Sequence, residues 1–221
     1  MGFNFLWEGQ NFNRLLMGLA QTLGISFFSL IFSLFFGTLL GLLLVRKNKF
    51  LHYLCQFYLE TIRIVPLLVW LFTLYFGLAT WFNLHLSAFW VCVLVFSLWG
   101  TAEMGDLVRG ALQSISPHQR ETAMALALDK RLIFFKIELP QMLKMLLPST
   151  INLLTRIIKT TALGALIGVV EVVKVGQQII ETSLFSHATI SLWVYGLIFW
   201  LYFLICYPLS HWAKRLEEDC E

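Results

Sequence analysis

Apolar residues run with few interruptions over 15–45, 55–82, 86–105, 145–170 and 188–209, and polar or charged stretches separate them. A helix needs about 20 residues to cross a hydrocarbon core of about 30 Å, so each run predicts a membrane span and the chain about five. The first run is longer than the bilayer is thick and is predicted to tilt or protrude. It is also far too long for a signal peptide and lacks a basic flank, so it is read as an uncleaved span. Within it, Gly37-Thr-Leu-Leu-Gly41 is a small-xxx-small pattern that lets a second helix approach closely. The second run carries Arg63 and Pro66 near its start, and the fourth carries Arg156 and Lys159.

The pattern changes between the third and fourth runs. "ETAMALALDKRLIFFKIELPQ", residues 121–141, mixes charges with good helix formers. Ser116-Pro117-His118-Gln119 has the form of a capping box: Ser116 caps, Pro117 takes the first helical position and Gln119 reaches back. The helix is predicted to run to about Leu128. Asp129 suits the cap of a second short helix over 130–139, ended by Pro140. Glu121, Met124 and Leu128 share one stripe, and Ala123 and Ala127 beside it admit close approach of another surface. Periodicity supports two readings equally: a docking surface for a basic partner site, and an amphipathic hairpin lying on the headgroups with its basic residues against anionic lipid.

Composition settles the solvent. Of 221 residues 58% are hydrophobic and 13% charged, where a soluble domain carries about 25% charge. The expectation is an all-α integral membrane bundle of about five transmembrane helices, one domain over 1–221, with the hairpin region at about 110–141 between spans 3 and 4. Charge then orients it. With the N-terminus outside, only Arg14 and Lys174 of the 16 Lys and Arg fall in outer segments, as the retention of basic residues at the cytoplasmic side requires. The hairpin and the C-terminus are therefore expected in the cytoplasm.

Little else points to bond-making chemistry. Cys55, Cys92, Cys206 and Cys220 form no CxxC pair and read as unpaired apolar cysteines. His52, His85, His118, His187 and His211 are scattered without an HExxH or paired spacing, so no metal site is expected. No GxxxxGK[ST] loop is present, which removes that device for binding ATP; no cofactor, catalytic residue or nucleic-acid partner is expected. Glu103 and Asp106, at the end of the third span, read as interfacial or inter-helix ion-pair partners rather than catalytic acids. Trp81, Trp99 and Trp212 read as interface anchors.

Intramembrane charge is costly and so points to function. Ser149, Asn152, Arg156, Lys159 and Thr160 recur at i, i+3, i+7, i+10 and i+11, a narrow wedge on one helix. They are expected to line a solute pathway. The competing reading has Arg156 and Lys159 snorkelling to the inner interface or pairing with acids; for Arg156, about 11 residues from the predicted span start, snorkelling is strained.

"ETAMALALDKRLIFFKIELP" resembles the EAA loop of ABC-importer permeases, whose pattern is E-A-A, a Gly four residues after the last Ala, then I-x-L-P. Glu121, Ala123, Ile137, Leu139 and Pro140 match; Thr122 stands for the first Ala and Ala127 for the Gly. "ETIRIVPLLVWLFTLYFGL" is similar to the R-G-T-P-L-L-V-x-L-F stretch of the polar-amino-acid subfamily, with Ile64-Val65 for Gly-Thr, and "RGALQSI" and "IGVVEVVKVGQQI" are similar to it too. The likeness runs from "GLAQTLGIS" to "RLEE". It implies a permease of the bacterial inner membrane whose loop forms a coupling helix in a groove of a cytoplasmic ATPase, present in two copies. It further implies a second permease subunit, in a homodimer or heterodimer around the pathway, and an extracytoplasmic solute-binding protein. Glu121, Ala123, Met124, Ala127, Leu128, Ile137, Leu139 and Pro140 are the coupling residues it marks, Glu121 for a polar contact to the ATPase. Ala127 would have to make the turn without a glycine's access to positive φ.

The subfamily's K-D-[ST]-[SA]-L is Lys159-Thr160-Thr161-Ala162-Leu163 here. A neutral Thr160, with Arg156 a turn earlier, predicts a neutral or acidic amino acid, such as glutamine or glutamate, over a cationic one. A secondary transporter with its own coupling-ion site is the main alternative. Against it, no inverted repeat or pair of broken helices is apparent, and five spans do not divide evenly. An intramembrane enzyme would need a nucleophile with its base, or a metal cluster, inside the spans, and neither is evident.

Overall fold

The computed structural model describes residues 6–7, 9–183 and 189–218, so His187 and Cys220 lie outside the described residues. Helices α1 (Asn11–Leu44), α2 (Lys49–Ile64), α3 (Leu67–Phe82), α4 (Ala88–Ser114), α5 (Pro117–Ala125), α6 (Lys130–Ile133), α7 (Leu139–Thr160), α8 (Val172–Ser183) and α9 (Ile190–Glu218) follow in order. No strand occurs among the described residues. Among the described residues, four helical stretches are long and apolar enough to cross a membrane, or five if the bent pair α2–α3 counts as one span. The all-α membrane bundle of about five spans is what the apolar runs predicted.

The second run departs from the expectation. It is two helices bent by 100°. Pro66 has no N–H to continue α2, and its ring drives Val65 out of the helical region. Pro66 is extended (φ −55°, ψ 136°) and its carbonyl accepts the N–H groups of Val69 and Trp70 to restart the chain as α3.

The hairpin departs too. Pro117 opens α5 as expected, but Ser116 makes no side-chain cap bond. Gln119 does not reach back to it; its side-chain oxygen accepts from Gln141 Nε2 at 2.9 Å. The first helix ends at Ala125 rather than near Leu128, and Asp129 precedes α6 without a side-chain bond. The second helix does not stop at Pro140. A π-helical turn over Phe134–Glu138 carries it into α7, with the Leu139 N–H bonding the Phe134 carbonyl. The wider turn relieves the clash a proline ring makes with the carbonyl four residues back, so Pro140 deforms the helix instead of ending it.

The chain forms two compact units. One draws on residues up to Leu30, Val65–Ser97 and Leu154–Pro208; the other draws on Ile31–Ile64, Leu98–Leu153 and Leu209 onward. The first unit has a core around Ile25, Leu71, Phe96 and Ile167, and another around Leu15, Val175, Ile179 and Val194. In the second unit the glycine pattern of α1 is spent on α4. A Cβ on Gly37 would lie 2.5 Å from that of Met104, and one on Gly41 2.5 Å from that of Val108. Only glycine permits the two backbones to come this close.

Candidate coupling and solute sites

The hairpin closes on a left-handed residue. Ala127 has φ +55°, and around it the N–H groups of Ala127 and Leu128 bond the carbonyls of Met124 and Ala123 at 2.9 and 3.2 Å. An L-residue held there costs roughly 1–2 kcal/mol. The turn has the geometry that a glycine would adopt, reached at the cost of strain.

Of the residues predicted to couple, Glu121, Met124, Ala127 and Pro140 are exposed, Leu128, Ile137 and Leu139 are half-buried, and Ala123 is buried. Ala123 therefore packs inside the hairpin instead of admitting an outside surface. Leu126, Leu132 and Phe135 join the exposed apolar set, 70%, 46% and 60% exposed. Arg120, Met124, Lys130 and Ile133 line a cavity of about 300 Å³ between the two short helices. Arg120 Nε lies 3.0 Å from Glu138 Oε1, and Glu138 is buried. This pair ties α5 to the π turn. Sequence reasoning missed it because residues 18 apart across a turn share no helical period.

The solute wedge lies on one continuous helix, α7. Ser149, Asn152 and Thr160 are half-buried, Arg156 and Lys159 are exposed, and Ile151, Leu153, Ile157 and Ile158 are buried. Asn152 Nδ2 donates to Glu217 Oε1 at 3.3 Å, and the Thr160 hydroxyl donates to the Arg156 carbonyl at 2.7 Å. Ser149 alone of the five lines the cavity of about 380 Å³ that also holds Arg63, Glu103 and Asp106.

Those three are an ion cluster. Arg63 Nε is 3.5 Å from Glu103 Oε1, its Nη1 and Nη2 are each 3.2 Å from Asp106 Oδ2, and Arg109 Nε donates to Asp106 Oδ1 at 3.0 Å. The sequence reading of Glu103 and Asp106 as inter-helix ion-pair partners holds, and Arg63 of α2 is the partner.

Glu171 was not singled out and is fully buried. Its carboxylate accepts the N–H groups of Val173 and Lys174 at 2.9 and 2.8 Å, so it caps α8. The Tyr202 hydroxyl lies 3.5 Å away. An acid directly before the periodic run "VVKVGQQII" was the available signal.

A family model described as "Binding-protein-dependent transport system inner membrane component" matches residues 33–215. The chain is 30% identical over 217 residues, 97% of its length and 96% of the relative's, to "Probable amino-acid ABC transporter permease protein PatM" of Vibrio harveyi. It is 29% identical over 213 residues, 96% of its length and 92% of the relative's, to "Probable glutamine ABC transporter permease protein GlnP" of Bacillus subtilis (strain 168). Its fold matches a chain in "Crystal structure of an amino acid ABC transporter with histidines" with TM-score 0.85 at 24% identity, covering 99% of this chain and 100% of that one.

Proposed function

Because the chain belongs to the family of inner membrane components of binding-protein-dependent transport systems, we propose that it is the permease of an amino-acid importer and that its hairpin receives the stroke of a cytoplasmic ATPase. One observation carries the second part. The hairpin is a closed unit, joined by the Ala127 turn and the Arg120–Glu138 pair, and it presents Glu121, Met124 and Leu126 outward. A push on such a unit passes into α7 through the continuous helical path from Lys130 to Thr160. Glu121 meets a basic group of the ATPase, and Met124 and Leu126 fill its groove. The lipid-surface reading is disfavoured because Glu121 shares the presented face and would meet anionic headgroups.

The assembly has two permease subunits, alike or different, two ATPase subunits and an extracytoplasmic binding protein that delivers the solute. The N-terminus faces outward, a reading that the distribution of basic residues supports. The wedge Ser149, Asn152, Arg156, Lys159 and Thr160 lines the pathway. With two exposed cations and no acid among its five members, it favours a neutral or acidic amino acid, and the relative named for glutamine agrees with that. The test is uptake by the complete complex in proteoliposomes, with ATP supplied to the ATPase and unlabelled amino acids as competitors. Glutamine or glutamate is expected to compete best. Preferred uptake of arginine or lysine, unchanged in Arg156→Gln, overturns the solute assignment. Uptake without ATP or ATPase overturns the importer in favour of an ion-coupled carrier.

A further inference from the structure

We propose that the cavity walled by Arg63, Glu103, Asp106 and Ser149 is a second binding site on the solute's path, one that grips the α-carboxylate and α-ammonium of an amino acid together. The proposal rests on the amino-acid reading above.

α2 carries three kinds of residue. Cys55, Leu59 and Ile62 are buried; Phe50, Tyr53, Leu54 and Phe57 are exposed and apolar. His52, Gln56, Glu60 and Arg63 form a polar stripe at i, i+4, i+8 and i+11. That stripe and Asp106, Arg109 and Gln113 of α4 line a cavity of about 410 Å³. Arg63 and Asp106 also line the cavity of about 380 Å³ that holds Ser149. The Arg63–Asp106 pair thus borders both spaces, and one of them opens onto the first residue of the α7 wedge. Each is of the size that encloses small ligands, about 300–1,000 Å³.

The chemistry of the border selects a zwitterion. The cavity that holds Ser149 is lined by one arginine and two acids, Arg63, Glu103 and Asp106, and Arg109, which lines the other cavity, bonds Asp106 Oδ1, so groups of both signs face a ligand. Side chains of both signs stay accessible, 37% for Arg63, 31% for Asp106 and 18% for Glu103. The Arg63 contacts, at 3.2–3.5 Å, are longer than the 2.7–2.9 Å of well-formed charge-assisted bonds. An amino acid offers a carboxylate to the planar Arg63 fork and an ammonium to Glu103 and Asp106 at one stroke. The loose Arg63 pairs are exchanged for tighter external ones, while Arg109 keeps its bonds to Asp106 Oδ1. Leu107, Met145 and Leu146 on the same wall receive the aliphatic part of the solute.

The experiment uses the complete complex with the native cysteines replaced and Met145→Cys, a half-exposed apolar wall residue, as the reporter. The rate of modification by a charged methanethiosulfonate is measured with L-glutamine as probe, or with whichever amino acid uptake identifies. At ten times its Kd the probe is expected to slow modification about tenfold. Glutamine lacking its carboxylate (4-aminobutanamide) and glutamine lacking its ammonium (glutaramate) are expected not to protect. Arg63→Gln is expected to abolish protection, read as the ratio of the rates with and without probe in the same variant, and Arg63→Lys to retain part of it. No protection in a complex that transports the probe overturns the site, and equal protection by either analogue overturns its zwitterion selectivity. A wild-type complex that transports no amino acid overturns the underlying reading, and the site with it.

Discussion

A left-handed residue stands before α8 and another between α5 and α6, and the two turns are built differently. Before α8 the residue is Gly168, φ +91°, which no side chain strains. Three residues on, Glu171 is fully buried and caps α8 with two short bonds to backbone N–H groups. Between α5 and α6 the residue is Ala127, φ +55°. Neither flanking cap residue, Ser116 or Asp129, makes a side-chain bond. The buried acid there, Glu138, is paired with Arg120, whose side chain is 62% exposed. The first turn is fixed by an unstrained glycine and a buried side-chain cap. The hairpin is held by a strained residue and a solvent-facing ion pair, as suits the docking element proposed for it.

Glu171→Ala is expected to have the largest effect. It leaves two part-buried N–H groups without their acceptor, at about 1–3 kcal/mol each if water cannot reach them. The melting temperature of the purified protein in detergent should fall sharply, with Glu171→Gln in between because one oxygen remains. A Glu171→Ala protein that melts like wild type would mean that the cap is not what fixes this turn.

Arg120→Ala should come next. Breaking a buried pair costs about 3–5 kcal/mol, and an exposed pair about 0–1 kcal/mol; with one partner on each side, about 1–3 kcal/mol is expected. The loss should be local. Backbone hydrogen exchange over 117–138 should accelerate, while that of α8 stays as it was. Exchange rising equally in both regions would dissolve the contrast between the turns.

Ala127→Gly should have the smallest effect and the opposite sign. Relief of roughly 1–2 kcal/mol of left-handed strain, less about 0.5–1 kcal/mol for glycine's extra freedom when unfolded, leaves a gain on the order of 0.5 kcal/mol. Exchange at Leu126–Leu128 should slow slightly. Faster exchange would show that Ala127 is not strained in the hairpin.

Apolar run length was enough to read the spans, because burial in lipid demands about 20 residues whatever the sequence. Pro117 and Asp129 marked the starts of the short helices correctly. Pro140 misled because a proline's missing N–H can be absorbed by a π turn as well as by a helix end, and local sequence does not decide between them. Pro66 was noticed but not read as a bend, since the apolar run continues on both sides. That Ser149, Asn152, Arg156, Lys159 and Thr160 share one helix, α7, followed from helical period. The Arg63–Asp106 and Arg120–Glu138 pairs did not, as each joins residues on different helices. Glu171 carried a signal at its own position, an acid before a helix start, and was overlooked within a stretch that matched the family.

The central claim is that the hairpin, through Glu121, is the contact by which an ATPase drives this permease. The direct measurement is copurification of the ATPase with tagged Glu121→Lys, together with stimulation of its ATP hydrolysis. Reversing the charge against a basic partner site should cost about 2–5 kcal/mol of docking. The variant is expected to insert into the membrane and melt like wild type, yet to lose most of its bound ATPase and its stimulation. A Glu121→Lys permease that retains its ATPase and stimulates it as wild type does would contradict the account.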